Sequence, residues 1–310
     1  MFKYIVTGGA GFIGSNIASE LVKRGETVKI IDNLSTGFEK NFEGVKDQVE
    51  FVKGDIRDLD LLQKEFAGFD YVINQAALCS VPRSVNDPIA SNENNIDGTL
   101  NVLVAARDNK IKRVVYASSS SVYGEAIGDY KVETMPVSPL SPYALTKYTA
   151  ERYTQLFYKL YGLETVCLRY FNVFGPNQDE NSQYSAVIPL FINKMLKGES
   201  PVIFGDGTQS RDFTYVQNNV EANILAATAS QGAGEVMNIA CASSITLNEL
   251  VDLINKELGT SIKPIYNEDR QGDIKHSKAD VHKAKELIGY EPKISFEEGL
   301  KETIKWYRDN

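Results

Sequence analysis

The chain has few of the residues that build disulfide frameworks and metal sites. Its 310 residues include three cysteines and two histidines. Cys79, Cys167 and Cys241 lie far apart and form no Cys-x-x-Cys pair. We therefore expect neither a disulfide framework nor a zinc site, and we predict no metal ligands.

The chain also lacks an excess of positive charge and any long apolar run. Lysine and arginine total 33 against 41 aspartates and glutamates, which gives a net charge of -8. This balance argues against nucleic acid or an anionic membrane surface as a partner. No apolar stretch approaches the length of a bilayer span, and a strand is predicted from residue 2. We therefore expect a cytoplasmic protein without a targeting segment.

A glycine-rich turn lies between a predicted strand and a predicted helix at the start of the chain. The apolar strand runs into Gly8, Gly9, Gly11 and Gly14, and helical spacing follows. Such glycines let the backbone approach a pyrophosphate, which the helix N-terminus faces with free N–H groups. Asp32 ends the second predicted strand, where a carboxylate accepts both ribose hydroxyls and repels a 2′-phosphate. The pattern predicts a dinucleotide site that favours NAD over NADP.

Short apolar strands alternate with helical patterns through the first half of the chain. The predicted strands lie at residues 4–7, 27–31, 49–53, 71–74, 113–118 and 165–169, and long helices are predicted at 89–109 and 143–161. Strands joined in this way form a parallel sheet covered on both faces, with ligands at the carboxyl ends of the strands. We predict an α/β fold, a doubly wound parallel sheet of the Rossmann type with a smaller α/β substrate lobe. The NAD-binding unit is expected over residues 1–169 and about 213–240, and the lobe over about 170–212 and 241–310.

Candidate catalytic residues follow the fifth predicted strand. A cluster of four serines, residues 118–121, ends that strand, and the next predicted helix carries Tyr143 and Lys147 four residues apart on one face. A free tyrosine titrates near pH 10, but a nearby ammonium and an oxidised nicotinamide both stabilise the phenolate. Tyr143 would then be a usable proton acceptor. An ordinary amphipathic pair beside a polar loop is the alternative, and the position beside the cofactor crevice favours catalysis.

Together these motifs resemble those of the extended short-chain dehydrogenase/reductase family. The resemblance is to its NAD-dependent nucleotide-sugar epimerase branch, which includes UDP-glucose and UDP-N-acetylglucosamine 4-epimerases. It extends over essentially the whole chain, with further matching stretches at residues 74–77, 94–99, 168–175, 207–213 and 270–273. The resemblance implies a UDP-sugar substrate and a homodimer packed through the helices at 89–109 and 143–161. The apolar faces of those helices could equally be core.

The resemblance also implies a role for individual residues. The catalytic residues would be Ser119, Tyr143 and Lys147, with Ser119 bonded to the sugar 4′-hydroxyl. For the cofactor they are Gly8, Gly11, Phe12 and Ile13 on the pyrophosphate; Asp32, Asn33, Ser35, Thr36 and Gly37 on the ribose; Asp55 and Ile56 on the adenine; and Ala76, Ala77 and Asn95 further in, beside Tyr143 and Lys147. For the substrate they are Asn172 and Arg211 on the phosphates; Val187, Val202 and Phe204 around the uridine; Arg270 and Asp273 on the diphosphate and ribose; and Ser277 beside C2′. Surface charge and core packing are the alternatives for these arginines and apolar residues.

The reaction implied is oxidation and re-reduction at C4′ of a UDP-sugar. Relatives that catalyse dehydration or decarboxylation carry acidic residues where this chain has Ser120 and Ser121. The small Ser277 leaves room for an N-acetyl group, so we expect interconversion of UDP-GlcNAc with UDP-GalNAc, and of UDP-glucose with UDP-galactose, through a 4-keto intermediate and bound NAD. A UDP-glucuronate 4-epimerase or decarboxylase is an alternative, with Arg83 as its candidate cation near C6′. A non-catalytic NAD-sensing binding protein is the third.

Overall fold

The strands and helices of the chain alternate as the apolar pattern predicts. The computed structural model describes residues 1–124, 130–179, 186–268 and 276–310. Within these ranges the strands are β1 (Lys3–Thr7), β2 (Thr27–Asp32), β3 (Val49–Lys53), β4 (Tyr71–Asn74), β5 (Arg113–Ser119), β6 (Glu164–Tyr170), β7 (Val173–Phe174), β8 (Val202–Phe204), β9 (Ser210–Arg211), β10 (Thr214–Tyr215), β11 (Val236–Ile239), β12 (Ile245–Thr246), β13 (Ile265–Asn267) and β14 (His276–Ser277). The helices are α1 (Phe12–Lys23), α2 (Leu59–Glu65), α3 (Val81–Asn86), α4 (Pro88–Asn92), α5 (Gly98–Asp108), α6 (Pro142–Tyr161), α7 (Val187–Leu196), α8 (Val216–Thr228), α9 (Leu247–Leu258), α10 (His282–Ile288) and α11 (Phe296–Asp309).

The main sheet is parallel and its two faces are both covered. Of the strands described, seven form this sheet in the order β11-β6-β5-β4-β1-β2-β3. Successive side chains of β1 enter different cores: Tyr4 and Val6 pack on one face, and Ile5 packs on the other. Both faces are apolar because helices cover both, which is why the strands read as continuous apolar runs. The predicted doubly wound Rossmann fold is confirmed.

A smaller α/β lobe follows the sixth strand. There β9 pairs with β12 and β14, β8 pairs with β13, and β7 pairs with β10. Helices α7, α9 and α11 pack against one another beside these short strands. Strand β11 returns to the main sheet and pairs with β6. The proposed division of the chain into a cofactor unit and a substrate lobe stays a prediction.

The helix predicted at residues 89–109 is present over residues 88–108, and one turn of π type lies inside it. Helix α4 ends at Asn92, a wide turn of π type spans Glu93–Asp97, and α5 begins at Gly98. The wide turn buries the side chain of Asn95, which bonds the neighbouring loop. At Gly98, an added Cβ would lie 2.5 Å from the side chain of Ile56, so the two elements approach closely there. Apolar spacing alone does not reveal a π-type turn inside a helix.

Candidate active site

A cleft of about 900 Å³ opens at the carboxyl ends of β1, β2, β4 and β5. It is lined by these predicted site residues: Gly8, Gly11, Phe12, Ile13, Asp32, Asn33, Ser35, Thr36, Ile56, Ala76, Ala77, Arg83, Ser119, Tyr143, Lys147, Asn172 and Arg211. Other predicted residues are placed outside its lining: Gly37, Asp55, Asn95, Val187, Val202 and Phe204. Arg270, Asp273 and the side chain of Ser277 lie outside the described residues. The structure therefore places most of the predicted cofactor residues around one cleft.

The glycine turn holds α1 so that its N-terminus borders the cleft. Gly8 has a φ of +68°, and a Cβ there would lie 2.7 Å from the backbone nitrogen of Ala76. Gly11 is the N-cap residue of α1, and no side chain caps that first turn. Its N–H groups and the positive end of the helix dipole are therefore available to an anion. A pyrophosphate fits this turn.

Asp32, the last residue of β2, lines the cleft near the glycine turn and is held in place by two hydrogen bonds. Its carboxylate accepts hydrogen bonds from the backbone N–H groups of Ala10 (3.0 Å) and Leu34 (2.8 Å). Burial raises the pKa of Asp32, and these two hydrogen bonds partly offset that rise. A fixed, buried carboxylate at the end of β2 fits a dinucleotide ribose.

Asp55 and Asn33, both predicted near the adenosine, bond mainly to other residues. The side-chain amide of Asn33 donates to Asp55 at 2.9 Å. A hydrogen bond from the Arg57 guanidinium is the main cause that lowers the pKa of Asp55 to about 2. Asp55 thus holds the loop after β3, and its neighbour Ile56 lines the cleft. Gly37 packs against Ala10 behind the glycine turn.

The three predicted catalytic side chains lie at the far end of the cleft, after β5 and on α6. The hydroxyl of Ser119 accepts hydrogen bonds from the backbone N–H of Ser121 (3.2 Å) and from its hydroxyl (2.9 Å). Burial raises the pKa of Tyr143 well above its ordinary value, and a hydrogen bond with Ser119 partly offsets the rise. Lys147 is 2% exposed and donates to the Ala117 carbonyl at 2.7 Å, and burial lowers its pKa. The site therefore opposes charge on either side chain, so a phenolate at Tyr143 needs added positive charge.

The sequence did not predict the contacts that position these groups. The backbone N–H of Tyr143 donates to the hydroxyl of Ser84 at 3.0 Å. Asn95, predicted to contact the cofactor, accepts from the Leu78 N–H at 2.8 Å and donates to Thr146 at 3.0 Å. It thereby ties the loop after β4 to α6.

A buried ion pair lies beneath the serine cluster. The Arg169 guanidinium donates to both carboxylate oxygens of Glu151, at 2.7 and 3.0 Å, and Ser118 donates to the same carboxylate at 2.7 Å. Both charged side chains are almost fully buried, at 4% and 1% exposed. One signal was available in the sequence, because a charged residue between Leu168 and Tyr170 inside an apolar strand needs a buried partner.

Fewer of the residues predicted to bind the nucleotide part of the substrate line the cleft than of those predicted to bind the cofactor. Arg211 lines the cleft and donates to the Ser210 carbonyl at 2.9 Å. Val187 is partly buried and packs against the main core, and its contact with the uridine stays a prediction. Asp212 was missed: it is fully buried, its carboxylate accepts from the N–H groups of Cys241 (3.0 Å) and Ala279 (3.1 Å), and burial raises its pKa to about 6. It fastens the segment after β14 to β9, beside Arg211.

Two other kinds of site are absent from the described part of the chain. No group of three histidine, cysteine, aspartate or glutamate side chains is placed to hold a metal ion there. Nor does any helix in those ranges have the length and apolarity to cross a bilayer.

Comparison with known proteins identifies the relatives of the chain. Residues 4–240 match the model of the NAD dependent epimerase/dehydratase family. A UDP-N-acetylglucosamine 4-epimerase of Methanobrevibacter ruminantium M1, solved with UDP-N-acetylmuramic acid, is 46% identical, with a TM-score of 0.95 over 99% of this chain and 98% of that one. The UDP-glucose 4-epimerase of Thermotoga maritima, solved with UDP-glucose, is 38% identical, with a TM-score of 0.93 over 99% of each chain. A UDP-glucuronate 4-epimerase of Thermodesulfobacterium geofontis is 34% identical over 100% of this chain and 97% of its own length.

The fold and the cleft define the class of protein as an NAD-binding enzyme. The match over most of the sequence narrows this class: the chain belongs to the NAD dependent epimerase/dehydratase family. The predicted family, the NAD cofactor and the enzymatic character are thereby confirmed. The roles of the individual site residues stay predictions.

Proposed function

We propose that this enzyme is a UDP-sugar 4-epimerase that uses bound NAD. The observation that carries the proposal is the meeting of Ser119, Tyr143 and Lys147 at one end of the cofactor cleft. Among the described residues that line the cleft, the carboxylates are Asp32, at the end of β2, and Asp179. Serines occupy the two positions after Ser119, so no acid is supplied there for elimination or decarboxylation. This supports simple chemistry at C4′, and the retained catalytic side chains count against a purely NAD-sensing protein.

The residues of the chain act on protons while NAD, when bound, accepts hydride from C4′ and returns it. Tyr143 takes the proton of the 4′-hydroxyl, and Ser119 hydrogen-bonds the same hydroxyl and holds it toward Tyr143. Lys147 and the positively charged oxidised nicotinamide stabilise the phenolate against the rise in pKa that burial causes. The sugar then turns about its bond to the diphosphate and presents the other face of C4′, and Tyr143 returns the proton to the 4′-oxygen.

The substrates proposed are UDP-GlcNAc and UDP-GalNAc together with UDP-glucose and UDP-galactose. Two of the relatives, the UDP-N-acetylglucosamine 4-epimerase and the UDP-glucose 4-epimerase, support this range. The small residue at position 277 supports room beside C2′, and a roomy pocket rejects a smaller isostere only weakly. The cytoplasmic location stays a prediction.

The direct test is to incubate the purified protein with each UDP-sugar without added NAD and to measure the C4′ epimers by NMR. Each pair is expected to reach the same equilibrium ratio from either epimer, because the reaction has no net redox change and the cofactor stays bound. Denatured enzyme is the control. Net formation of a 4-keto product, or a requirement for stoichiometric NAD, would reject the epimerase assignment.

We further propose that the protein is a homodimer. Leu145, Leu156 and Leu160 form an apolar stripe on α6 and are 54%, 42% and 67% exposed. Ile89, 71% exposed, lies on the adjacent α4. Exposed apolar patches of this kind are typical of interfaces between proteins. A second copy of the same helix pair is an occupant with a matching apolar surface.

We expect a mass of twice 34.4 kDa by light scattering. The double substitution Leu156→Glu and Leu160→Glu should shift the protein to monomer, because it places charges in the apolar contact. Leu190→Glu, at an exposed leucine on α7, is the matched control and should leave the mass unchanged. A monomeric wild-type protein at micromolar concentration would exclude this dimer.

A further inference from the structure

Arg83 is a cation in the cleft that the rest of the site does not use. It lies in the first turn of α3, is half-buried and lines the cleft. Its guanidinium makes no hydrogen bond or ion pair with another of the described residues. Lys147 and Arg211, in contrast, donate to the carbonyls of Ala117 and Ser210. The Arg83 side chain is therefore free to bind an anionic ligand.

Helix α3 fixes Arg83 at the catalytic end of the cleft. The backbone N–H of Arg83 donates to the hydroxyl of Ser80 at 3.2 Å, which caps the helix. The next residue, Ser84, accepts the backbone N–H of Tyr143 at 3.0 Å. This hydrogen bond joins the short helix to the first turn of α6, which contains the proposed catalytic Tyr143. Arg83 belongs to the part of the cleft near Tyr143, away from Asp32 and the ribose it would bind.

The geometry of a hexose decides which anion can reach this position. In a pyranose ring C1 lies across the ring from C4, whereas C3 and C5 are the neighbours of C4. The diphosphate is attached at C1, so it points away from the carbon whose hydroxyl faces Tyr143. Substituents of C3 and the C6 group on C5 are therefore attached next to C4, at the end of the ring opposite the diphosphate. A cation next to Tyr143 is therefore closer to these groups than to the diphosphate.

We propose that Arg83 binds a carboxylate carried by the sugar, so that the enzyme accepts acidic UDP-sugars as well as neutral ones. This rests on the proposed function, because it assumes that C4′ faces Tyr143. A guanidinium pairs with a carboxylate through two parallel hydrogen bonds, and the partly enclosed cleft strengthens that interaction. The carboxylate is either at C6, as in a uronate, or on an ether substituent at C3. Arg83 is thus a specificity-determining residue.

The test measures binding by calorimetry to the NAD-loaded enzyme. The probes are UDP, UDP-glucose, UDP-glucuronate and UDP-N-acetylmuramate, which carries its carboxylate on a C3 ether. Arg83→Gln is expected to raise the dissociation constant of at least one acidic UDP-sugar by about 10- to 100-fold, the range for hydrogen bonds to charged groups. The ratio of the dissociation constant of that sugar to the dissociation constant of UDP-glucose should rise by about the same factor. Loss with UDP-glucuronate assigns the C6 carboxylate, and loss with UDP-N-acetylmuramate assigns the C3 ether.

Two further variants keep the test decisive. Arg83→Lys retains the positive charge without the two parallel N–H donors of the guanidinium, and it should recover part of the lost affinity. Arg308→Gln, at an exposed arginine in the last turn of α11, is the control and should change none of the constants. An equal loss for UDP, UDP-glucose and the acidic sugars would assign Arg83 to the diphosphate and overturn the proposal. Equal affinities of wild type and Arg83→Gln for every probe would overturn it too.

This measurement is independent of the proposed reaction. If the acidic sugars lose affinity selectively while NMR detects no C4′ epimerisation by the wild-type enzyme, the carboxylate subsite stands and the reaction is wrong. If UDP-glucose is epimerised while Arg83→Gln binds all probes as the wild type does, the reaction stands and the subsite is wrong.

Discussion

Replacing Tyr143 by phenylalanine is expected to lower kcat for C4′ epimerisation by about 10³-fold, within the range that general acid–base catalysis contributes. The substitution removes the phenolic oxygen that takes the proton of the 4′-hydroxyl and leaves the ring in place. Because only the hydroxyl is lost, the nucleotide should still bind, and the effect should fall on kcat rather than on KM. The measurement is the rate of epimer formation by NMR at saturating UDP-sugar, with UDP affinity from calorimetry.

The pH dependence of the same pair of enzymes separates a chemical role from a structural one. Burial raises the pKa of Tyr143, so the fraction of phenolate, and with it the wild-type kcat, should increase as the pH rises. The small remaining rate of Tyr143→Phe should lack this increase. Tyr161→Phe, at the exposed last residue of α6, is the matched control and should behave as wild type. Near-normal turnover by Tyr143→Phe would show that another group takes the proton.

Replacing Gly8 by alanine is expected to have the second large effect, on cofactor retention and on stability. A non-glycine residue at a φ of +68° costs roughly 1–2 kcal/mol, and the overlap of the new Cβ with Ala76 adds about 1–3 kcal/mol. The turn must move away from the strand end, which displaces the free N–H groups of α1 from the pyrophosphate. We expect the dissociation constant for NAD to rise about 10- to 100-fold, the range for hydrogen bonds to a charged group.

Gly25 offers a control with the same backbone conformation and no neighbour. Its φ is +79°, and an added Cβ would meet nothing within 4 Å. Gly25→Ala should therefore lower the free energy of unfolding by about 1–2 kcal/mol and leave NAD affinity unchanged. Stability is measured by urea unfolding of cofactor-free protein, since bound NAD would itself add to it. If both variants lost equal stability and both kept NAD, the close approach to Ala76 would be unimportant.

The first six strands of the main sheet could be predicted to within about a residue, because most of them are buried on both faces. A strand such as β5 shows a run of apolar residues from Val114 to Ala117, whatever the partner strands are. The π-type turn between α4 and α5 could not be predicted in this way. The backbone stays helical through it, and the buried side chain of Asn95 bonds the loop at Leu78, which is distant in sequence.

The site divides in the same way. Gly8, Asp32, Ser119, Tyr143 and Lys147 follow patterns whose spacing is local, and the structure gathers all five around one cleft. The supports of these residues are not local. Ser84 was not predicted as the acceptor for the Tyr143 backbone, because that bond exists only when α3 packs against α6.

The sequence by itself determined the order of strands and helices, the glycine turn and the residue types that the chemistry needs. Local sterics and apolar periodicity act within a few residues, so they can be seen in the chain without its fold. Only the tertiary structure decided which polar groups meet. It pairs Glu151 with Arg169, it brings the Ala279 N–H to the Asp212 carboxylate, and it leaves Arg83 in the lining of the cleft. These arrangements need segments that burial of apolar surface brings together, and that burial acts without regard to distance along the chain.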